Sequence, residues 1–157
     1  MRILQISDEV LQRLWEWIRE DQNLYELLAM NYEEFVLRVT QRDVILLYLE
    51  GGDSLFYLTG VAPRKTAMVH IVSREKNIDP VAYRKLLREL LDWAFRTFHL
   101  KRLTGMIGVE NTLARNLSKK LGFTEEGVLK SWVVDQKGRT HDIVISRLLW
   151  EEFQNGI

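Results

Sequence analysis

The sequence predicts an α/β fold of the α+β kind, with a mixed and mostly antiparallel central sheet. The length of 157 residues suits one domain with its own hydrophobic core, and 46% of the residues are apolar. Short apolar runs bounded by turn residues indicate strands, and longer stretches with apolar residues three and four positions apart indicate helices. Together they predict about seven strands and about four helices in the order β-αα-βββ-α-β-α-ββ, within a single domain over residues 1–157.

The first half begins with a short strand and two helices. The apolar residues of 3–6 stop at Ser7, whose hydroxyl followed by two carboxylates is a helix-start signal. Apolar residues then recur at helical spacing through 10–18 and again through 24–37. Three apolar runs follow, separated by a Gly-Gly-Asp turn and a Pro-Arg-Lys turn, and they predict consecutive antiparallel strands over 44–49, 55–61 and 67–72.

The second half begins with the clearest helix start in the chain. Asp79 suits the N-cap, Pro80 suits the first helical position, and the apolar stripe that follows runs from Leu86 to Phe98. A strand with two glycines, a short helix that Gly122 ends, and a final hairpin complete the order. Their predicted positions are 103–109 for the strand, 111–121 for the helix, and 128–134 and 143–149 for the hairpin strands, joined by the turn 135–138.

Charge is balanced overall but unevenly distributed. The 22 basic and 22 acidic residues give a formal net charge of zero, which argues against bulk nucleic acid as a partner. Residues 1–60 carry 5 basic and 11 acidic side chains, whereas residues 61–157 carry 17 and 11. The first part would therefore suit a cationic amine and the second an anion, although a solvated basic face explains the second excess equally well.

Three absences bear on where the protein works. The chain has no cysteine, which excludes disulfides and thiolate chemistry and makes the reducing cytosol the simplest compartment. It reaches Asp8 and Glu9 before any stretch of signal-peptide length, and no run approaches roughly 18 apolar residues. We therefore expect a cytoplasmic protein without a membrane partner. The three histidines are scattered, so no metal site is expected.

The segment 111–127 carries a family pattern. It reads as Asn, a short helix, Lys-Leu-Gly-Phe and then Glu-Gly, and it resembles the signature of the GNAT N-acetyltransferases. The chain is most similar to the branch that acetylates the N-termini of ribosomal proteins, because its central helix contains Trp93-Ala94-Phe95 and its last hairpin has Gly138 followed by Asp142. The predicted element order agrees with the GNAT fold, so the resemblance covers nearly the whole chain.

The resemblance implies a site for acetyl-CoA between two splayed strands. In this family the pantetheine arm pairs with the fourth strand, which here would involve Ile71, Val72 and Ser73. Asn111 matches the family position that contacts the arm, the alternative being a plain helix cap. Arg115 is a candidate phosphate partner, although exposed basic residues are common on helices. Acetyl-CoA is therefore the expected co-substrate.

The glycine-rich pyrophosphate loop of the family is degenerate in this sequence. Aligned back from Trp93-Ala94-Phe95, the loop falls on 78–83, where none of its key residues is present. Pro80 lacks an amide donor, and Asp79 would place a carboxylate where a phosphate should dock. Either the phosphate site is missing, or it is rebuilt from basic side chains, for which the candidates are Arg74, Lys76, Arg84 and Arg88.

Three residues are candidates for the chemistry of amine acetylation, which needs a base for the incoming ammonium and an acid for the leaving thiolate. His70 lies in an apolar strand and would be a base near neutral pH, or else a histidine that faces solvent or a neighbouring carbonyl. Glu110, at the end of the next strand, is a second candidate base, or a surface carboxylate. Ser118 stands where the family often has a tyrosine acid, and it keeps a hydroxyl.

Two functions are compatible with these residues. The first is an acyl-CoA-dependent N-acetyltransferase, in which a primary amine of a protein N-terminus or a small molecule attacks the bound thioester directly. The alternative is a non-catalytic binding or assembly module with the GNAT fold, as in some phage-encoded proteins, because the glycine loop is absent. Trp17, Trp150 and the C-terminal strand are candidates for a homodimer contact.

Overall fold

The computed structural model describes residues 7–20, 31–49, 54–73, 79–135 and 137–156. This part of the chain contains five helices and six strands. None of the described helices combines the length and the apolar content that crossing a membrane requires. In chain order the elements are α1 (Asp8–Glu20), α2 (Tyr32–Val39), β1 (Ile45–Leu49), β2 (Ser54–Ala62), β3 (Thr66–Ser73), α3 (Pro80–Phe98), β4 (Arg102–Gly108), α4 (Thr112–Lys120), β5 (Thr124–Val134), β6 (Thr140–Leu149) and α5 (Trp150–Asn155).

The six described strands form one sheet in the order β1-β2-β3-β4-β6-β5. Every neighbouring pair is antiparallel except β3 and β4, which are parallel because α3 carries the chain back along the sheet between them. The predicted mixed and mostly antiparallel sheet is therefore confirmed, as is the order of those predicted elements that lie within the described residues.

The element count differs from the prediction. The predicted first strand over 3–6 and the beginning of the predicted second helix over 24–30 lie outside the described residues. The sequence interpretation missed α5, so the described part already has five helices where about four were expected. Trp150 and Phe153, the apolar residues of α5, directly follow the apolar run of β6. The change from the spacing of a strand to that of a helix is therefore not visible in the sequence.

α3 covers one face of the sheet, and α1 and α2 cover the other. On the face of α1 and α2, Leu14 and Phe35 pack in one cluster with Leu55, Tyr57 and Val72 of the strands. Side chains alternate along each strand, so the intervening residues meet α3 instead. The α3 face consists of Leu87, Leu90, Leu91, Ala94 and Phe95 with Phe56, Leu58, Ala67, Val69 and Leu103.

Two predicted cap and turn positions are confirmed. Asp79 caps α3 by accepting a hydrogen bond from the Val81 N–H at 2.9 Å, and Pro80 is the first helical residue. In the last hairpin, the Asp135 carboxylate accepts from the N–H groups of Lys137 and Arg139 at 2.8 and 3.0 Å. These local bonds fix where α3 begins and how β5 turns into β6.

The tryptophans that were candidates for a dimer contact are only partly described. Trp150 packs within the chain, with its ring centroid 5.3 Å from that of Phe95 and the Arg96 guanidinium carbon 5.2 Å from its own ring centroid. The side chain of Trp17 lies outside the described part of the structure. A homodimer therefore stays a prediction.

Leu90 tests how much the α3 face contributes to stability. Its side chain is fully buried, so we expect Leu90→Ala to lower the free energy of unfolding by about 3 kcal/mol, through lost burial and the cavity left behind. Val81→Ala, in the same helix but 66% exposed, should change it by less than about 0.5 kcal/mol. Urea unfolding followed by circular dichroism measures both variants. Equal losses would contradict the packing of α3.

Candidate active site

The parallel strands β3 and β4 separate partway along their length. Their described pairing ends at Met68 and Thr104, although β3 continues to Ser73 and β4 to Gly108. Beyond Met68, the edge of β3 that faces β4 forms no ladder with it. The two strands therefore diverge toward their carboxyl ends, and a cleft opens between them.

This cleft, here called the strand cleft, has a volume of about 380 Å³. One wall is α4 with the residues at its two ends, of which Asn111, Ala114, Ser118 and Leu121 recur at three- and four-residue spacing and so share a face. The β3 positions that the family resemblance assigns to the pantetheine arm line the opposite wall. The lining residues outside α4 include Val69, Ile71, Val72 and Ser73 of β3, Tyr83 of α3, 105–108 of β4, and Phe123.

A second cavity of about 410 Å³, here called the α2 cavity, lies between α2 and the sheet. His70 and Met106 line both this cavity and the strand cleft. They mark the point where molecules in the two cavities would come closest to each other. The other residues around the α2 cavity include Arg38, Val39, Val44, Tyr57, Thr59, Gly60, Met68, Thr104 and Trp132.

His70 is held in place by two neighbours on β2. Its Nε2 lies 3.0 Å from the Thr59 Oγ1, and its ring stacks on that of Tyr57 with centroids 4.3 Å apart. Burial, with a smaller contribution from the Arg38 charge, lowers the pKa of His70 to about 4. The ring is therefore neutral at neutral pH, with a lower pKa than the near-neutral value expected from the sequence. Its described partner is a hydroxyl, not a carbonyl.

Asn111 and Ser118 both reach the strand cleft from α4. The Asn111 Oδ1 accepts a hydrogen bond from the Ala114 N–H at 3.1 Å, so this residue caps the helix and lines the cleft at once. The two interpretations of Asn111 are therefore compatible. Ser118 lies two helical turns further along the same face.

The predicted phosphate partners that the structure describes, Arg84, Arg88 and Arg115, are not among the residues that line the strand cleft. Arg115 donates to Glu125 through its Nε at 2.9 Å and to the Val109 carbonyl at 3.1 Å, and its hydrogen bond is the main reason why the pKa of Glu125 is lowered. The Arg88 guanidinium carbon lies 5.0 Å from the ring centroid of Phe153. Arg84 is a half-buried residue of α3, whereas Arg74 and Lys76 are outside the described residues.

Glu110 lies at the surface, just after β4. It lines neither cavity, and its Oε1 is 3.9 Å from the Nδ1 of His141. His141 in turn binds the Asp135 carboxylate through Nε2 at 2.9 Å. In the described part of the chain, no three His, Asp or Glu side chains come together in a way that would hold a metal ion.

Sequence reasoning missed several residues of the α2 cavity. Tyr57 and Thr59 reach it because β2 pairs with β3 in a register that sets Tyr57 opposite His70. Side chains alternate between the two faces of a strand, so the sequence 55–61 indicates which residues share a face with Tyr57. Only the register with β3 shows that this face lies beside His70. Trp132 comes next to a bulge of β5, where Ser131 has a φ of 48°, and no sequence signal marks it.

Comparison with known proteins gives matches in structure only. No protein-family model matches the chain, and no curated protein sequence matches it. A chimera of the spermidine N-acetyltransferase SpeG from Vibrio cholerae and hSSAT superposes with a TM-score of 0.77 at 19% identity, covering 99% of both chains. The Vibrio cholerae spermidine N-acetyltransferase in complex with CoA and spermine gives 0.70 at 18% identity, covering 97% of this chain and 96% of the other. The likeness shows that the chain has the GNAT fold.

The low pKa of His70 predicts a pH dependence of stability. Unfolding returns the pKa from about 4 to 6.5, so between these pH values the unfolded chain binds a proton that the folded chain does not. The free energy of unfolding therefore falls as the pH falls through that window. Relative to His70→Gln, we expect the wild type to lose about 2 kcal/mol between pH 7 and pH 4.5, measured by urea unfolding. A difference that stays constant with pH would contradict the burial of a neutral ring.

Proposed function

We propose that this chain is an acyl-CoA-dependent N-acetyltransferase that transfers an acetyl group to a primary amine. The observation that carries the proposal is the meeting of the strand cleft and the α2 cavity at His70 and Met106. Direct transfer needs two substrates whose reacting atoms approach each other at one point. The fold shared with solved spermidine N-acetyltransferases supports the same class of reaction.

Acetyl-CoA fits the strand cleft through its pantetheine arm. Beyond Met68, the edge of β3 presents backbone N–H and C=O groups that β4 does not pair, and the amides of the arm are suitable partners for them. Asn111 and Ser118 lie on the opposite wall, and Ile71 and Leu117 offer apolar surface. Bound there, acetyl-CoA supplies the thioester whose carbonyl carbon the amine attacks.

We assign the uptake of the amine proton to His70. In the tautomer whose Nε2–H donates to the Thr59 Oγ1, Nδ1 carries the lone pair, and the proton goes there. A pKa of about 4 makes the ring a weak base, but the attacking nitrogen becomes far more acidic as its bond to carbon forms. His70 therefore takes the proton during the attack, and the amine must arrive uncharged. Glu110 is less suited to this role because it is exposed and lines neither cavity.

We assign the donation of a proton to the leaving thiolate to Ser118. Its side chain lines the strand cleft on α4, on the wall opposite β3. As the bond between carbon and sulfur breaks, the hydroxyl donates its proton to the sulfur and the new amide is released; Ser118 then regains a proton from water, and His70 gives up the one it took from the amine, so both side chains are restored. Asn111, at the beginning of the same helix, holds the arm in register with Ser118.

The phosphates of the cofactor need a different anchor from the glycine loop of the family. At the N-terminus of α3, Asp79 already takes the Val81 N–H, and Pro80 has no N–H to donate. We infer that basic side chains hold the phosphates instead. Arg115 is paired with Glu125, which favours the candidates on α3 and just before it, namely Arg84, Arg88, Arg74 and Lys76.

The same helix start favours a second candidate function, a non-catalytic binding or assembly module with the GNAT fold. A chain that no longer uses the cofactor has no need of free amides at this helix, and Asp79 would close them off. Binding of acetyl-CoA separates the two candidates.

The acceptor is proposed here only as a primary amine. The resemblance to the ribosomal-protein branch favours a protein N-terminus, whereas a solved structure of the same fold contains spermine, a small amine. A screen with acetyl-CoA and amines of both kinds distinguishes these acceptors.

Binding of acetyl-CoA is the first test. We expect micromolar affinity by calorimetry, weakened at least about tenfold by Ala114→Phe, because a phenyl group at this lining position fills the strand cleft. Asn116→Phe is the matched control, since it adds the same group to an exposed position of α4 that faces away from the cleft. Absence of binding at millimolar acetyl-CoA would contradict the enzyme and favour the module.

The proposed role of Ser118 is tested by removing its hydroxyl group. We expect Ser118→Ala to lower kcat by about 10- to 100-fold with little change in KM for acetyl-CoA, because the hydroxyl acts only when the thiolate leaves. Ser118→Thr keeps a hydroxyl and should restore most of kcat. Steady-state kinetics with any amine that the screen identifies measures both variants. An unchanged kcat for Ser118→Ala would remove Ser118 from the mechanism.

A further inference from the structure

The α2 cavity contains one formal positive charge and no negative charge among its described lining residues. The positive charge is that of Arg38, on α2. His70, the other titratable group of a basic kind, is neutral there because burial lowers its pKa to about 4. No aspartate or glutamate of the described residues lines the cavity.

Arg38 is available to a ligand. It is half-buried, and its Nη1 donates to the Oε1 of Gln41 at 3.1 Å, an uncharged partner. No carboxylate of the described part of the chain lies within ion-pair distance of it. The positive charge of Arg38 contributes to the lowered pKa of His70. The guanidinium therefore faces the same space in which the amine must meet the thioester.

Two described acidic residues, one next to the lining residue Val44 in sequence and one on α2, form hydrogen bonds to backbone N–H groups. The Asp43 carboxylate accepts a hydrogen bond from the Gly60 N–H at 3.1 Å. On α2, Glu34 is exposed and binds the N–H of Asn31 at 2.9 Å in the capping box of the helix. Neither carboxylate lines the cavity.

Apolar and aromatic side chains form most of the remaining lining. Tyr57 is buried and Trp132 is 57% exposed, so an aromatic surface extends from the interior to the mouth of the cavity. Val44, Met68 and Met106 contribute aliphatic and thioether surface. Such walls suit the body of an apolar or aromatic molecule.

We infer that the acceptor is a small primary amine that carries a carboxylate on an apolar body, as an aromatic or aliphatic α-amino acid does. Its carboxylate would bind Arg38, its apolar part would lie among Tyr57, Trp132 and the methionines, and its amine would point to His70. This inference rests on the proposed function and names its substrate class. A polycation would meet the Arg38 charge with no described carboxylate to offset it. The proposed acceptor differs in this respect from the cationic amine that the acidic first half of the chain suggests.

The carboxylate would also assist the chemistry. An anion beside Arg38 offsets the guanidinium charge, which is the smaller of the two causes that lower the pKa of His70. The proton affinity of His70 therefore rises when an acceptor that carries a carboxylate is bound.

The test compares four acceptors with acetyl-CoA under one set of conditions. They are phenylalanine, phenethylamine, which lacks only the carboxylate, a short peptide with an N-terminal phenylalanine, and spermidine. We expect kcat/KM for phenylalanine to exceed that for each of the others by about tenfold or more, because an Arg–carboxylate pair is strong and directional. Calorimetric titration of phenylalanine into the protein with CoA gives a second readout that does not depend on turnover.

Variants of Arg38 link the preference to its charge. We expect Arg38→Gln to lower kcat/KM for phenylalanine by about 10- to 100-fold, mainly through KM, and Arg38→Lys, which keeps the charge but not the planar guanidinium, to keep only part of the preference. Arg42→Gln removes an exposed arginine of the same region that lines neither cavity, and it should leave kcat/KM unchanged. Thermal unfolding verifies that each variant is folded, and Arg38→Met, which also removes the charge, carries the test if Arg38→Gln is not.

The outcomes separate this inference from the proposed function. A preference for spermidine or the peptide, or a phenylalanine preference that survives Arg38→Gln in a folded protein, would overturn the inference and leave the acetyltransferase intact. Failure to bind acetyl-CoA or to acetylate any amine would overturn both.

Discussion

The separation of β3 from β4 is the constraint on which the rest of the site depends. The two strands share a parallel ladder only at their beginnings, while their outer neighbours, β2 and β6, hold each of them along most of its length. One edge of each strand is thus left with backbone polar groups that need partners, since buried N–H and C=O groups are nearly always hydrogen-bonded. An extended ligand with amide groups of its own meets that need. The sheet itself therefore favours an arm such as pantetheine over a compact ligand.

The same separation determines the surroundings of His70. Met68 is the last residue of β3 in the ladder with β4, and His70 is the next residue along β3 that points to the same face. It is close enough to β2 to stack on Tyr57 and bond Thr59, yet it lies where the strands have begun to part. A histidine fixed on one side and open on the other can contact molecules in both the strand cleft and the α2 cavity. Its low proton affinity follows from the burial that this position imposes.

Local signals predicted most of the fold, and contacts between distant segments account for what was missed. Asp79 and Pro80 predicted where α3 begins, because helix capping depends on residues that are neighbours in sequence. His70 could be found because a titratable residue in an apolar strand is conspicuous. The ion pair between Arg115 and Glu125 could not be predicted, because nothing in the helix of Arg115 reveals that Glu125 folds back against it. Trp132 reaches the α2 cavity beside a bulge that its sequence does not mark.

The charge at the described wall of the α2 cavity differs in sign from the net charge of the first 60 residues, within which α2 lies. The first 60 residues carry 11 acidic and 5 basic side chains, and yet Glu9, Glu16 and Glu33 of α1 and α2 are exposed to water. Water screens such charges within about 10 Å at ordinary ionic strength, whereas a half-buried charge at the wall of a cavity is screened far less. Arg38 is such a charge, and none of the described acidic residues lines the α2 cavity. Its position on the inner side of α2 depends on tertiary packing, which a count of residues does not contain.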